Sequence, residues 1–141
     1  MTLTATIAPL SSPRWNAGLW AAQLALAALY LMAAYMKGLM PIPDLVAMGL
    51  VWTAGAPLWL VRGIALVEFL GAVGLILPAA TRIMPQLTVW AAAGLLAIQA
   101  LAIPFHMIRG EFAPLPFNLI YVALAVLILW GRSRRALISP R

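Results

Sequence analysis

Glu68 is the residue of this chain whose position most directly suggests chemistry. It lies inside an apolar stretch, residues 58–77, that is long enough to cross a membrane. A charged group at the centre of a membrane helix costs at least about 2.5–3.5 kcal/mol, so such a residue is normally turned inward, neutralised or paired. A buried carboxyl group can also act as a general acid or base. Glu68 is therefore the first candidate for a catalytic residue.

Further polar side chains recur at helical spacing on the other apolar stretches. Gln99 and His106 are seven residues apart, so they share a helix face. Glu68 lies about eleven residues from Pro57 and Gln99 about ten from Arg109, which places both roughly 15 Å deep, close to the bilayer midplane. We therefore predict one inward-facing polar pocket at this depth. Its expected members are the catalytic candidates Glu68 and His106 and the ligand-binding candidates Tyr30, Lys37, Arg62, Gln99 and Asn118.

Each of these residues also has a structural interpretation. Glu68 could be a protonated structural acid that bonds Gln99 or Tyr30, because small membrane bundles use polar side chains as interhelical contacts. His106 lies near an interface, where a hydrogen-bonded histidine is common. Lys37 and Arg62 could extend toward the headgroups with their apolar stems buried. The sequence leaves both interpretations open.

Composition and run length indicate which elements carry these residues. The chain has 141 residues, of which 65% are hydrophobic and 9% are charged, against about 25% charged in a soluble domain. Such a chain is expected to form a single all-α membrane domain over 1–141, an antiparallel bundle of four helices. The predicted spans are 15–37, 57–77, 85–108 and 116–131, with a basic tail over 132–141.

The segment between the first two spans predicts a short helix at the membrane interface. Asp44 is placed to cap a helix from Leu45 to Trp52. Basic residues then predict the orientation, because cytoplasmic loops carry more Lys and Arg. Six lie on the side of the termini and three on the other side. We therefore expect both termini in the cytoplasm.

Several function classes lack their residues. The chain has no cysteine, which excludes disulfides and thiolate metal sites. One histidine cannot form a conventional histidine metal site, so we expect no metal, and haem is disfavoured because a single axial ligand would have to hold it. The net charge of +6 comes largely from the arginine tail, which is typical of a flank beside anionic lipid rather than of a nucleic-acid interface.

Three segments of the chain form a family-like pattern: Met36-Lys37-Gly38, the stretch from Gly63 to Pro78 around Glu68, and His106-Met107-Ile108-Arg109-Gly110-Glu111. In these segments the chain resembles the DoxX-like family of small four-helix membrane proteins. The resemblance extends over 15–132 and implies a bacterial inner-membrane bundle. Carried over residue by residue, the family pattern points to Lys37, Glu68 and His106.

The resemblance and the polar residues leave three function classes. Some relatives are linked with membrane redox systems, including thiosulfate:quinone oxidoreductase, which implies an accessory subunit that binds a quinone or other lipophilic ligand and acts with a soluble redox partner. The second class is a stand-alone membrane isomerase or hydrolase of an apolar substrate, with Glu68 as acid or base. The third is a scaffold or assembly factor without chemistry. We also expect a homo-oligomer, because one four-helix unit is small.

Overall fold

The computed structural model describes residues 12–141, and this part of the chain is all-helical. Four long helices dominate, and a short helix, α2, follows the first of them. The bounds are Pro13–Leu39 (α1), Ile42–Ala47 (α2), Leu58–Thr81 (α3), Gln86–Ile108 (α4) and Leu115–Trp130 (α5). A 3-10 turn, Val51–Gly55, precedes α3, and a π-helical turn, Gly131–Arg135, extends α5. The predicted all-α four-helix bundle is confirmed.

Local residue chemistry sets the ends of the long helices. The Ser12 side chain accepts a hydrogen bond from the Trp15 amide at 3.4 Å, and Pro13 occupies the first turn of α1, where a proline suits the helix. At the C-terminal end of α3, Arg82 adopts a left-handed conformation with φ 60°, which stops the helix. Pro78 lies inside α3, so this helix runs beyond the predicted end at residue 77.

The short interfacial helix is present, but its predicted bounds are wrong. It spans Ile42–Ala47 rather than Leu45 to Trp52, and Pro41 occupies the capping position. Asp44 lies within the first turn instead of capping it. The helix ends early because Gly49 takes a positive φ of 96°, which glycine adopts at little cost.

The four long helices pack as a ring. Helix α1 packs against α3, α3 against α4, α4 against α5, and α5 returns to α1. Small residues set the close α3–α4 contact: a Cβ added at Gly71 would collide with the Leu95 side chain, and one at Gly74 would lie 2.9 Å from the Ala91 Cβ. Small residues at such crossings let membrane helices approach closely.

Four helical segments of residues 12–141 are long and apolar enough to cross a membrane. Their outward faces carry large exposed apolar side chains such as Leu66, Leu70 and Leu101, which suit contact with lipid. Helices α1 and α4 finish, and α3 and α5 begin, at one end of the bundle, here called the distal end. The opposite end, where α1 begins and α5 finishes, is called the terminal end.

Candidate functional site

A buried ion pair joins α1 to α3 near the distal end. Lys37, in the last turn of α1, places its Nζ 2.6 Å from Oε1 of Glu68 in the middle of α3. Glu68 is only 3% exposed and Lys37 9%. Glu68 thus avoids the lipid by pairing with a cation on the neighbouring helix. A buried pair of this kind is costly to form and contributes little net stability, so its presence alone does not explain its role.

Arg62 supports this pair by binding the α1 backbone beside Lys37. Its two terminal nitrogens donate to the carbonyl oxygens of Lys37, at 2.5 Å, and of Met40, at 2.9 Å. These carbonyls belong to the last turn of α1, where no further helical amide can reach them. Arg62 is therefore a structural cap that fixes the backbone of Lys37 while Glu68 holds its side chain.

Tyr30 and Gln99 form a second buried link, between α1 and α4. The Tyr30 hydroxyl donates to the Leu95 carbonyl at 3.1 Å and accepts from Nε2 of Gln99 at 2.9 Å. Because the hydroxyl has one proton and gives it to the carbonyl, the group facing it must be the amide NH₂. Oε1 of Gln99 then has no hydrogen-bond partner among residues 12–141. Tyr30 itself is fully buried and packs edge-on against Tyr121, with ring centroids 4.7 Å apart.

His106 is oriented by a charged loop that follows α4. Its Nδ1 lies 2.8 Å from Oε2 of Glu111, and the other Glu111 oxygen accepts from Nε of Arg109 at 2.8 Å. Burial would raise the pKa of the Glu111 carboxyl, but hydrogen bonds and charge from Arg109 and His106 outweigh it and hold that pKa below its ordinary value. A carboxylate on Nδ1 fixes the ring of His106, and His106 also lines the cavity described next.

The distal half of the bundle encloses a cavity of about 1080 Å³. Its wall is mainly apolar, with a small set of polar side chains. The apolar part includes Met32, Met36, Trp52, Trp59, Phe105 and Phe117. The polar part comprises Lys37, Glu68, Gln99, His106, Arg109, Asn118 and Tyr121. Several apolar wall residues, such as Phe117, are also exposed on the outside of the bundle, so the cavity is open to the surface of the bundle.

Three of these polar side chains carry buried atoms that have no hydrogen-bond partner among residues 12–141. They are Oε2 of Glu68, Oε1 of Gln99 and Nδ2 of Asn118. Buried polar atoms in native proteins are normally paired with protein or with an ordered molecule. The three residues that carry these atoms line the same cavity, whereas the other two such atoms of residues 12–141, on Thr88 and Arg132, lie away from it.

The cavity gathers five of the seven candidate site residues. Lys37, Glu68, Gln99, His106 and Asn118 line it, whereas Tyr30 lies behind Gln99 and Arg62 behind Lys37. Their roles as catalytic or ligand-binding groups stay predictions. Within the described part of the chain, no group of three His, Cys, Asp or Glu side chains is close enough to hold a metal ion.

Sequence reasoning assigned no site role to two wall residues, Trp52 and Tyr121. The Trp52 ring lies edge-on to Phe105 at 6.3 Å and closes the cavity from the loop before α3. No sequence signal pointed to Trp52, since its position depends on how that loop folds back. Tyr121 is three residues after Asn118, which places it on the same helix face and could have marked it.

The burial of Arg132 also differs from the prediction. We expected it in the solvated basic tail, but it is only 3% exposed. Its Nε donates to Oε1 of Gln23 at 2.6 Å and its Nη1 to Oδ1 of Asn16 at 2.7 Å. The two acceptors lie seven residues apart on α1, and this spacing on a helix facing the end of α5 was the available signal.

The fold and the site together define a small four-helix membrane protein with a polar cavity between its helices. The family model of the DoxX-like family matches residues 21–128. The chain belongs to that family, and the resemblance found in its sequence is confirmed. No curated protein and no solved structure matches the chain at a significant level.

Proposed function

We propose that this protein binds a lipophilic small molecule of the quinone class in its distal cavity and serves as an accessory subunit of a membrane redox system. The observation that carries the proposal is the Lys37–Glu68 ion pair on the wall of a large apolar cavity. The localisation that goes with it is the bacterial inner membrane.

The shape and lining of the cavity support ligand binding. Small-molecule sites are typically concave, mostly apolar and about 300–1,000 Å³ in volume, with a few polar groups that fix orientation. The distal cavity is at the upper end of that range, and methionines such as Met32 and Met36 can adapt to an irregular hydrophobic tail. A headgroup that carries a hydrogen-bond donor, seated beside Glu68 and Gln99, would give their unpartnered oxygens the hydrogen bonds that they lack.

The wall also holds groups that can move protons. When a quinone is bound, it supplies two-electron chemistry in which reduction takes up two protons. Glu68 and His106 are the acid–base groups on the wall, and Lys37 or Asn118 can donate to a headgroup oxygen. The two electrons would come from a soluble redox partner, the partner class that the family resemblance implies.

Binding by the purified protein tests the proposal. Decylubiquinone, a benzoquinone with a short alkyl tail, is titrated into the protein in nanodiscs while tryptophan fluorescence is followed, since Trp52 and Trp59 lie on the wall. We expect saturable quenching that the double variant Lys37→Met/Glu68→Gln loses. The double variant is used because removing one charge alone would leave the other buried and unpaired.

Thr88→Val is the matched control for this experiment. Thr88 is fully buried and its hydroxyl lacks a partner among residues 12–141, but it does not line the cavity. The control should therefore bind like the natural sequence. Absence of saturable binding to the natural sequence would overturn the proposal. Turnover of an apolar substrate by the isolated protein would favour the enzyme class, and full function after Glu68→Leu would favour the scaffold class.

The proposed orientation places both termini in the cytoplasm and the distal cavity toward the outside. Single cysteines introduced at Ser139 and Asp44 test it, because the chain has no cysteine of its own. A membrane-impermeant thiol reagent should label only the Asp44 position in intact cells. Labelling of both positions from one side would refute the topology.

A homo-oligomer is also part of the proposal, since exposed apolar faces can pack against a second copy as well as against lipid. Native mass spectrometry from nanodiscs should then detect complexes larger than one chain. Monomers alone at high protein concentration would contradict it.

A further inference from the structure

Three residues that line the cavity carry buried atoms without a partner among residues 12–141, and the chemistry of these atoms indicates which group the ligand presents. Two of them are oxygens on neighbouring helices, Oε2 of Glu68 on α3 and Oε1 of Gln99 on α4. In its ion pair with Lys37, Glu68 is a carboxylate, and both of its oxygens can only accept hydrogen bonds. The ligand must therefore supply donors.

Tyr30, which does not line the cavity, determines which end of the Gln99 amide is left unpartnered. Tyr30 donates its only proton to the Leu95 carbonyl, so the hydroxyl oxygen takes its hydrogen bond from the Gln99 amide NH₂. A flipped amide would place two oxygens against each other without a proton between them. Tyr30 thus fixes the Gln99 side chain with its oxygen free.

The Glu68 oxygen can turn toward a ligand at small cost, because the terminal torsion of a glutamate side chain is broad, without sharp wells. Small rotations of the Glu68 carboxylate about its last bond can bring Oε2 to the cavity while Oε1 keeps the Lys37 contact. On the same wall, Asn118 carries an unpartnered Nδ2, which offers a donor to an oxygen of the ligand.

We propose that the distal cavity is selective for a hydroxyl-bearing headgroup, and that of a quinone and its reduced form it binds the hydroquinone more tightly. This inference rests on the proposed ligand class. A hydroxyl group donates to Glu68 or Gln99 and accepts from Asn118 through the same oxygen. A quinone carbonyl can only accept, so it leaves both wall oxygens unpaired and sets its own oxygen near a carboxylate.

The expected selectivity is at least about tenfold, because a buried acceptor left without a donor loses binding energy of that order, and sites built around a substrate hydroxyl discriminate strongly against analogues without it. Selective binding also changes the redox behaviour of the bound pair. Each tenfold preference for the reduced form raises the midpoint potential of the bound couple by about 30 mV. A partner protein would then transfer electrons to the bound quinone more readily than to free quinone.

The test compares three ligands of nearly equal shape by calorimetry in nanodiscs: decylubiquinol, decylubiquinone and the dimethyl ether of decylubiquinol. The ether keeps the aromatic ring and both oxygens but has no donor. Dithiothreitol can keep the quinol reduced without altering the protein, since the chain has no cysteine. We expect the quinol to bind at least about tenfold more tightly than the quinone or the ether.

Gln99→Met separates selectivity from a purely structural role. Methionine has a similar volume and no acceptor oxygen at this position, and the Tyr30 hydroxyl keeps its bond to the Leu95 carbonyl. The ratio of quinol to quinone affinity should fall in this variant, whereas mere loosening of the fold would weaken both ligands equally. Thr88→Val again serves as the control that keeps the ratio.

The outcomes distinguish this inference from the function on which it rests. If none of the three ligands binds, the proposed function itself fails. If the quinone or the ether binds as tightly as the quinol, the cavity is still a ligand site, but selectivity for a hydroxyl-bearing headgroup is refuted. An unchanged affinity ratio in Gln99→Met would also refute it.

Discussion

A stripe of polar residues runs along α1, and its surroundings differ between the two ends of the bundle. Four polar residues recur every seven positions on α1: Asn16, which is exposed, and Gln23, Tyr30 and Lys37, which are buried against the other helices. At the terminal end, the Arg132 side chain enters the bundle and donates to both amides of the stripe. At the distal end, the stripe borders the cavity, and neighbouring oxygens remain unpartnered.

In the terminal cluster, formed by Asn16, Gln23 and Arg132, the protein itself supplies partners for Nε and Nη1 of Arg132, whereas Nη2 is buried without a partner among residues 12–141. Gln23 also donates from Nε2 to the Leu75 carbonyl at 2.5 Å, and the guanidinium of Arg132 lies 5.5 Å from the centre of the Trp20 ring. All three acidic side chains of the sequence, Asp44, Glu68 and Glu111, belong to the distal half. Carbonyl-type oxygens and an aromatic face therefore surround this cation, and its role is to tie the end of α5 to α1.

An apolar layer separates the two clusters. Leu26, Ala27, Leu75, Leu95 and Ala125 form part of the buried core between them. Gln23 and Tyr30 are one heptad apart, about 10 Å along the helix, and each directs its bond to a different backbone carbonyl. Polar residues in this bundle therefore act locally: the terminal cluster ties two helices together, and the polar residues of the distal end border the cavity.

Removing one charge of the ion pair should have the largest effect. Glu68→Leu leaves the Lys37 ammonium buried without its partner, which should lower the free energy of unfolding by about 3–5 kcal/mol. The double variant Lys37→Met/Glu68→Gln should be close to the natural sequence, because no unpaired charge remains. Denaturant titration in mixed micelles followed by circular dichroism measures both. If Glu68→Leu and the double variant are equally stable, the pair does not behave as a buried ion pair.

Breaking the terminal cluster should cost less and leave ligand binding intact. Arg132→Met removes the donors to Gln23 and Asn16 and should destabilise the protein by about 2–3 kcal/mol. Arg134→Met, at an exposed position of the same turn, is the matched control and should change stability by less than about 0.5 kcal/mol. The same unfolding titration applies. Loss of ligand binding in Arg132→Met at a temperature where it is folded would contradict the separation of the clusters.

Changing the close α3–α4 contact should have an intermediate effect. Gly71→Ala forces the Leu95 side chain to move, and overpacking of this kind costs about 1–3 kcal/mol. Gly94→Ala is the control, because an added Cβ there meets no atom within 4 Å. Thermal unfolding in detergent should give a lower melting temperature for Gly71→Ala than for Gly94→Ala. Equal melting temperatures would mean that α3 and α4 can move apart without loss of stability.

The smallest effect concerns pH at the cavity mouth. The folded pKa of Glu111 lies below its ordinary value of 4.5, so its pairing with Arg109 and His106 stabilises the fold above the unfolded pKa. That contribution is lost as the pH falls through the folded pKa. The melting-temperature difference between the natural sequence and Glu111→Gln should therefore be present at pH 7 and disappear in acid below that pKa. A difference that grows on acidification would contradict the assignment.

The lengths of the apolar runs and the helical periodicity of the polar residues determine much of this architecture. A backbone in lipid must satisfy its hydrogen bonds internally, so four long apolar runs specify four helices with little influence from their neighbours. The period of 3.6 residues then places Gln23, Tyr30 and Lys37 on one face, and the cost of a charge in hydrocarbon turns Glu68 inward. These features depend on single segments, which is why sequence reasoning could find them.

The partners of the polar groups depended on how the helices pack. Arg62 and Lys37 are both basic residues near a helix end, yet one caps α1 and the other pairs with Glu68. Arg132 and Arg134 are neighbours in an arginine-rich segment, yet only the first meets the amides of α1. A side chain of this length can reach solvent or the interior, and the choice is made by which acceptors the facing helix presents. Those distances exist only once α1, α3, α4 and α5 are assembled.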